Sequence, residues 1–304
     1  MKKKLIQLGH SPDPDDAFMF YGLACGAVDA GPFQFEHILR DIQTLNDWAR
    51  QGKLEVTAVS LHAYAYLQEQ YAILSSGASM GATDLADYVG EDGAVYRPER
   101  SSLSPEDLPA QGPLLVARES CTLNEIKSKT IAVPGTMTSA FLALNLVLGK
   151  FDYTVMTFDE ILPAVADGRA EAGLIIHEGQ LTYPQLGLHC ILDLGRWWFE
   201  NHNLPLPLGC NIIRRDLGCE AMFRISEILR DSIRYGLHHR QEAVEYALRF
   251  GRGLNRELAD RFVGLYVNQW TLNYGPKGRN AIATFFQQAV KAGFIPHLEK
   301  LDFV

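Results

Sequence analysis

Residues 158–177 read FDEILPAVADGRAEAGLIIH, and residues 41–61 read DIQTLNDWARQGKLEVTAVSL. In both stretches a predicted amphipathic helix ends at a glycine, Gly168 or Gly52, and glycine is the residue preferred just beyond a helix C-terminus. A basic residue, a spacer, a glutamate and a short apolar run follow, and such runs are typical of buried parallel strands. The two stretches therefore predict one helix–strand unit in each of two related α/β lobes. Unrelated α/β units share this pattern, so a common origin of the two halves stays open.

The glycine alignment sets His177 opposite Leu61, and Ile176 opposite Ser60. His177 follows a predicted buried strand at the point where the strand leaves the sheet. An imidazole with an unperturbed pKa of about 6.5 suits proton transfer near neutral pH, so His177 is a candidate general base. A structural histidine that is buried and hydrogen-bonded would have the same sequence pattern, so this alternative stays open. Ser60 and Tyr64 lie at the equivalent edge of the other lobe, where Tyr64 is also compatible with ordinary helix packing.

The first predicted strand ends in the turn-rich stretch GHSPDPDD at residues 9–16, and a helix is predicted over residues 17–24, with Asp15 or Asp16 as its N-cap. A loop between a strand and a helix lies at the carboxyl edge of the sheet, where open α/β sheets bind ligands. With Asp13, these aspartates resemble the start of a calcium loop, but the glycine and the distant glutamate of such a loop are missing. Capping and turn formation are therefore predicted here, and no metal site.

A second strand-to-helix junction reads PGTMTS at residues 134–139. Backbone N–H groups and hydroxyl groups at the start of the predicted helix make this junction a candidate site for a carboxylate or a phosphate, with Thr138 and Ser139 in contact with the ligand. It is not a nucleotide-binding P-loop, because no Gly-Lys-Ser/Thr follows. The alternative is simple capping of the helix by a serine or a threonine.

The composition is that of an ordinary globular protein. The chain has 304 residues, 47% hydrophobic and 21% charged, and this length predicts two domains. A net charge of -8 without a basic stripe argues against nucleic-acid binding. Five cysteines without a Cys-X-X-Cys pair predict neither a disulfide framework nor a zinc site. The apolar stretch after the N-terminal lysines is too short for a signal peptide and no stretch approaches a membrane span, so a soluble cytoplasmic protein is predicted.

The order of predicted elements indicates a discontinuous first lobe. Residues 1–116 and 205–304 are predicted to form lobe 1, with an insertion at about 82–111, and residues 117–204 are predicted to form lobe 2. The last part of the chain is predicted to be helical, with a break at 251–253. Two lobes that are joined by two connecting segments face each other across a cleft and can close around a ligand.

Together these residues resemble the 1,4-dihydroxy-6-naphthoate synthase family of the futalosine route to menaquinone. The resemblance spans nearly the whole chain except about 82–111, and its most specific part is Gly-Leu-Ile-Ile-His-Glu at 173–178. The other matching motifs are Ser11-Pro12-x-Pro14-x-Asp16-x-Phe18-x-Phe20-Tyr21, Asp41-x-x-x-Leu45-Asn46, Ser60 with Ala63-Tyr64, Val133-Pro134-Gly135, and Thr182-Tyr183. The resemblance implies a two-lobed α/β fold like that of type II periplasmic binding proteins, with a ligand cleft between the lobes.

The resemblance also implies a carbon–carbon lyase that works without a metal or an organic cofactor. The family converts cyclic dehypoxanthine futalosine, a small molecule that we expect to bind through a carboxylate, into 1,4-dihydroxy-6-naphthoate and releases the three-carbon fragment dihydroxyacetone. The residue that matches the family's proposed base is His177. The predicted substrate-binding residues are Ser11, Asp16, Ser60, Tyr64, Thr138 and Ser139.

Two features depart from the family pattern. The family usually has Cys and Asn at the positions of Asp13 and Asp15, and the insertion at about 82–111 is unusual. Both lie beside the presumed cleft, so a changed substrate is one alternative. The others are a non-catalytic solute-binding protein, which the fold alone does not distinguish from an enzyme, and the related chorismate dehydratase, which the histidine segment fits less well.

Overall fold

The computed structural model describes residues 3–81, 88–89, 95–96, 112–250 and 254–304. The predicted insertion, apart from two short strands, and the predicted helix break at 251–253 lie outside the described residues. The strands are β1 (Lys4–His10), β2 (Phe33–Leu39), β3 (Val56–Ser60), β4 (Tyr71–Ile73), β5 (Ser79–Gly81), β6 (Tyr88–Val89), β7 (Val95–Tyr96), β8 (Leu114–Ala117), β9 (Ile131–Val133), β10 (Tyr153–Val155), β11 (Ala172–Ile175), β12 (His189–Asp193) and β13 (Leu206–Arg214). The helices are α1 (Pro14–Met19), α2 (Tyr21–Ala24), α3 (Ile42–Arg50), α4 (Leu61–Tyr64), α5 (Leu123–Lys127), α6 (Ser139–Leu148), α7 (Phe158–Ala166), α8 (Gly179–Thr182), α9 (Leu194–His202), α10 (Cys219–His238), α11 (Arg240–Ala247), α12 (Arg256–Tyr266), α13 (Gln269–Leu272) and α14 (Gly275–Lys291).

The strands form two main sheets of similar design. In the first sheet the order is β2-β1-β3-β13-β4, with β5 also paired to β13. In the second sheet the order is β10-β9-β11-β8-β12. Each sheet has a parallel core, made by β1 with β2 and β3 or by β9 with β10 and β11, and each adds one antiparallel strand, β13 or β8. This arrangement confirms the predicted α/β class.

The repeated helix–strand unit is present once in each sheet, as predicted. Helix α3 ends before Gly52 and leads to β3, and α7 ends before Gly168 and leads to β11. Both glycines adopt positive φ angles, 66° and 77°, which glycine reaches without the steric cost that a Cβ atom imposes. Both strands are buried along their whole length, which explains why their sequences are continuously apolar rather than alternating.

The described strands of the first sheet lie within residues 4–81 and 206–214, and those of the second lie within 114–193. Strand pairing in the second sheet thus begins at Leu114, three residues inside the range predicted for lobe 1. The C-terminal residues return to the first sheet, where Phe303 pairs with Ile73. The boundaries of the two predicted lobes stay a prediction.

The first helix begins earlier than the sequence analysis predicts. Helix α1 starts at Pro14, because proline at the first helical position has a suitable φ angle and needs no hydrogen-bond acceptor. Asp13 is therefore the N-cap residue, and the prediction of Asp15 or Asp16 as N-cap was wrong. Both aspartates lie in the first turn, and this position leaves the Asp16 carboxylate free to bond the loop before the helix.

The largest core joins the two sheets. It contains Val59 and Ile212 from the first sheet, Val133 from the second, and the rings of Trp198 and Phe285, whose centroids are 5.5 Å apart. Helix α14 therefore packs against both halves of the molecule. No helix in the described part of the chain is long and apolar enough to cross a membrane.

Candidate functional site

A cavity lies where the carboxyl ends of β1 and β3 meet β13 and the start of α6. It encloses about 730 Å³ of empty space, including the part that is open to solvent. Helix α12 contributes two aromatic residues, Phe262 and Tyr266, to the wall of the cavity. The polar side chains of the wall include Ser11, Asp16, Ser60, Thr138, Ser139 and Asn211. Loops at the carboxyl ends of parallel strands thus form the cavity, as the strand–loop–helix pattern predicts.

The structure brings most of the predicted site residues together. Five of the six predicted substrate-binding residues line the cavity, and Tyr64 is the exception. The Tyr64 ring is completely buried in the main core, where its length and apolar body suit packing. His177 is 6% exposed and is not a wall residue, although its neighbour Ile176 is.

Ser60 is held in place by Asn46 of α3. The Asn46 side chain accepts a hydrogen bond from the Ser60 N–H (2.9 Å) and donates to the Ser60 hydroxyl (3.2 Å). The same amide donates to the carbonyl of Met137 at 3.4 Å, so it links α3 to the turn before α6. Asn46 is completely buried, and an asparagine on the apolar face of a predicted helix is the sequence signal that identifies it in retrospect.

Gln43, one turn earlier on α3, makes a second bond to this turn. Its Oε1 atom accepts the N–H of Met137 at 3.2 Å. A Cβ atom at Gly135 would lie 2.1 Å from that oxygen, and Gly135 has a φ angle of 150°. Only glycine therefore allows the turn to approach α3 this closely.

The hydroxyl groups at the start of α6 already have partners within the protein. Thr138 caps the helix by accepting the N–H of Phe141 (3.2 Å), and it donates to the Gly135 carbonyl (2.9 Å). The Ser139 hydroxyl accepts the N–H of His62 and donates to the Leu208 carbonyl. The groups left for an anion are the backbone N–H groups of Ser139 and Ala140, the first two of α6, which have no acceptor within the helix.

His177 is oriented by the turn that follows β11. Its Nδ1 atom accepts the N–H of Gly179 at 3.0 Å, and its ring meets the edge of Phe158 with centroids 5.5 Å apart. Because the lone pair of Nδ1 is engaged, a neutral ring carries its proton on Nε2. That Nε2 atom is buried and has no partner among the described residues. The Glu178 carboxylate lies 3.6 Å from Nδ1.

Gln180 ties the same turn to the C-terminal helices. It accepts a hydrogen bond from the Tyr266 hydroxyl at 2.6 Å and donates to the Ile175 carbonyl at 3.2 Å. Both Gln180 and Tyr266 are buried, and Tyr266 is also part of the cavity wall. This pair could not be predicted from the sequence, because a contact between residues 86 positions apart has no local pattern.

Three carboxyl groups form one part of the wall. The Ser11 N–H donates to Asp16 at 2.7 Å, and the Ser11 hydroxyl donates to Asp13 at 2.9 Å. Burial, reinforced by the charge of Asp13, raises the pKa of Asp16 to about 7. Burial and the charges of Asp16 and Asp13 raise the pKa of Asp15 well above its ordinary range. Among the described residues no lysine or arginine lines the cavity, and no group of three or more potential ligands is placed to hold a metal ion.

Replacing Asp16 with asparagine is expected to stabilise the protein above pH 7. The folded pKa is about 7 against 3.8 for the free side chain, so the folded state binds more protons between these values and loses stability as the pH rises. Asparagine cannot ionise and can still accept the Ser11 N–H. The gain should be on the order of a few kcal/mol above pH 7 and should vanish below about pH 4.

Urea unfolding of wild type and Asp16→Asn between pH 4 and pH 8.5 measures this effect. Asp167→Asn, at an aspartate whose side chain is 65% exposed, is the control and should give no comparable gain. Equal stability of Asp16→Asn and wild type at pH 8 would contradict the raised pKa.

Comparison with known proteins identifies the family. A family model described as menaquinone biosynthesis matches residues 6–83 and 108–291, and the gap between these ranges falls within the predicted insertion. The 1,4-dihydroxy-6-naphtoate synthase of Thermus thermophilus is 38% identical over 288 residues, which is 95% of each chain. The enzyme of the same name from Streptomyces coelicolor is 32% identical over 304 residues and covers 98% of this chain and 97% of its own.

Solved structures confirm the predicted fold. A crystal structure of a protein from Archaeoglobus fulgidus is 42% identical, with a TM-score of 0.83 over 96% of this chain and 98% of its own. The alkanesulfonate-binding protein SsuA from Xanthomonas axonopodis pv. citri is 12% identical, with a TM-score of 0.66 over 98% of this chain and 96% of its own. The second likeness concerns the fold alone, which is that of the periplasmic binding proteins. By the length and identity of its sequence matches, the chain belongs to the menaquinone biosynthesis family that contains the two 1,4-dihydroxy-6-naphtoate synthases.

Proposed function

We propose that this protein is a carbon–carbon lyase that converts cyclic dehypoxanthine futalosine into 1,4-dihydroxy-6-naphthoate and dihydroxyacetone. The observation that carries the proposal is the near full-length identity to two proteins with this synthase name. The cavity supports it, because the carboxyl ends of β1 and β3, strand β13 and the start of α6 bring polar groups to one concave space, as in small-molecule sites.

The proposed reaction has three parts. The ring hemiketal of the substrate opens, a base removes a proton, and a retro-aldol-like cleavage follows. The electron pair of the breaking carbon–carbon bond enters the ring system, and the departing three-carbon fragment retains a carbonyl group. Aromatisation of the naphthalene ring supplies the driving force, so the proposal includes neither a metal nor an organic cofactor.

His177 is the proposed base. A base needs a free lone pair, and the lone pair of Nδ1 is engaged by the Gly179 N–H. Nε2 is the basic atom in the tautomer that carries its proton on Nδ1, where the Glu178 carboxylate 3.6 Å away is a suitable acceptor. The exchange of Gly179 for Glu178 as partner of Nδ1 is therefore part of the proposed mechanism.

The substrate carboxylate is proposed to bind at the start of α6. No cation of the described residues lines the cavity, so the positive end of the helix and its free N–H groups are the best site for a negative charge. Ser60 is also part of the cavity wall and is oriented by Asn46. Ser11 and Asp16 complete the proposed set of contacts. Closure of the two proposed lobes, 1–116 with 205–304 against 117–204, would exclude water from the substrate.

Incubation of the purified protein with cyclic dehypoxanthine futalosine tests the proposal. We expect one equivalent each of the naphthoate and of dihydroxyacetone, and we expect turnover to survive treatment with a chelator. Heat-denatured protein is the control for spontaneous cleavage. Tight binding of the substrate without any product would contradict the proposal and would favour a solute-binding protein. Activity lost with the chelator and restored by a divalent metal would contradict the cofactor-free mechanism.

A further inference from the structure

One wall residue of the cavity has no hydrogen-bond partner for its side chain. Asn211 lies on β13 and is 1% exposed, and within the described part of the chain neither its Nδ2 nor its Oδ1 atom is bonded. Its backbone carbonyl accepts a hydrogen bond from the N–H of Leu74, so only the side-chain amide lacks a partner. A buried amide without a partner is costly, and native proteins keep such groups rarely, often for a function.

The surrounding backbone holds the Asn211 amide against the cavity. A Cβ atom at Gly77 would lie 2.0 Å from Nδ2, and Gly77 itself lines the cavity with a φ angle of 86°. The Gly77 N–H donates to the carbonyl of Thr271, which fixes this loop in place. The amide is therefore enclosed by backbone on one side.

The position of Asn211 on its strand shows which end of the cavity it faces. Alternate residues of a strand face the same side of the sheet. Ile213, two residues further along β13, belongs to the same hydrophobic core as Phe18 and Met19 of α1, and α1 also carries Asp15 and Asp16. Asn211 therefore belongs to the end of the cavity that holds the carboxyl groups.

The start of α6 lies at the other side of the same strand. Cys210 and Ile212, which alternate with Asn211, share the main core with Ala140 and Ala143 of α6. The cavity thus has two unlike ends. One end offers free backbone N–H groups and the positive end of a helix, and the other offers carboxyl groups and an unpaired amide.

We propose that Asn211 binds hydroxyl groups of the sugar-derived part of the substrate, with the substrate carboxylate at the start of α6. This assignment rests on the proposed function. A hydroxyl group both donates and accepts, so it can pair with the carbonyl and the NH₂ of one amide. A carboxylate only accepts hydrogen bonds, so it could use the NH₂ group alone and would leave the carbonyl of Asn211 unpaired. The substrate is therefore oriented across the cavity.

Asn211→Leu tests the assignment, because leucine keeps a branched side chain of four heavy atoms and has no polar atoms. We expect kcat/KM for cyclic dehypoxanthine futalosine to fall about 10–100-fold, mainly through KM, as two hydrogen bonds are lost. The dissociation constant of the product 1,4-dihydroxy-6-naphthoate should change less than twofold, since this ligand lacks the sugar-derived part. The melting temperature should stay equal or rise, because an unpaired buried amide is removed.

Ile213→Val is the matched control on the same face of β13, and it should leave both ligand affinities unchanged. An unchanged kcat/KM in Asn211→Leu, with active wild type, would overturn the assignment and leave the proposed function intact. Equal weakening of substrate and naphthoate would overturn the proposed orientation. A fall in melting temperature with unchanged naphthoate binding and kcat/KM would give Asn211 a structural role only. No product with the wild-type protein would overturn the proposed function and this assignment together.

Discussion

Replacement of His177 with asparagine is expected to lower turnover about 10²–10⁴-fold, which is the usual contribution of a positioned base. The fold should persist, because the asparagine carbonyl fills part of the ring volume and can accept the Gly179 N–H that Nδ1 accepts now. Substrate affinity should change little, because the asparagine amide still occupies this position and can form a hydrogen bond. Turnover, the substrate dissociation constant and the melting temperature must be measured on the same variant.

A structural histidine would give the opposite order of effects. Its loss would lower the melting temperature first, and activity would fall only in proportion to unfolded protein. His62→Asn is a useful comparison, because His62 is also buried and bonds the backbone, with its Nδ1 atom 3.3 Å from the Thr138 carbonyl. Near-normal turnover in a stable His177→Asn protein would remove His177 as the base.

Gly179→Ala is expected to lower turnover about 10²-fold without removing any catalytic group. A Cβ atom at Gly179 would lie 2.8 Å from Cε1 of His177 and 3.0 Å from Cδ2 of Leu162, so the imidazole has to move. A displacement of about 1 Å in a reacting group can cost that factor. The loss should appear in kcat more than in KM, since the cavity wall is not altered.

Gly264→Ala is the matched control for this substitution. Gly264 lies in α12, and the nearest atom to an added Cβ would be Nη2 of Arg240 at an ordinary 3.6 Å. Alanine is favoured over glycine within a helix by up to about 1 kcal/mol, so the control should be as active as wild type and slightly more stable. Wild-type turnover in Gly179→Ala would show that the position of the His177 ring does not limit the reaction.

Local chemistry explains what could be predicted about the fold. The turns at Gly52 and Gly168 depend on a conformation that few other residues adopt, and the strands after them are buried on both faces, so both signals are contained in a few adjacent residues. The start of α1 was missed because the aspartates after Pro14 looked like caps, whereas proline itself begins the helix.

Only the segments that form the candidate site could be predicted from the sequence. Ser11, Asp16, Ser60, Thr138 and Ser139 all lie at or after the carboxyl end of a strand, and these ends meet at one edge. Their supports, such as Asn46 and Gln180, come from distant parts of the chain and follow from packing. Tyr64 has the same local pattern as the wall residues, and only the three-dimensional arrangement shows that its ring points into the core.

The bonds between α3, α4 and the turn before α6 have a kinetic consequence. Gln43, Asn46 and His62 hold this turn through four hydrogen bonds to Met137, Thr138 and Ser139. Opening of the two proposed lobes would break these bonds. At a net value of about 0.5–1.5 kcal/mol each, we expect them to keep the open form of the empty protein a minor population. The apparent affinity for any ligand that enters by this route is then reduced by the fraction of molecules that are open. The same bonds would re-form over a bound molecule, so we expect them to slow the release of product.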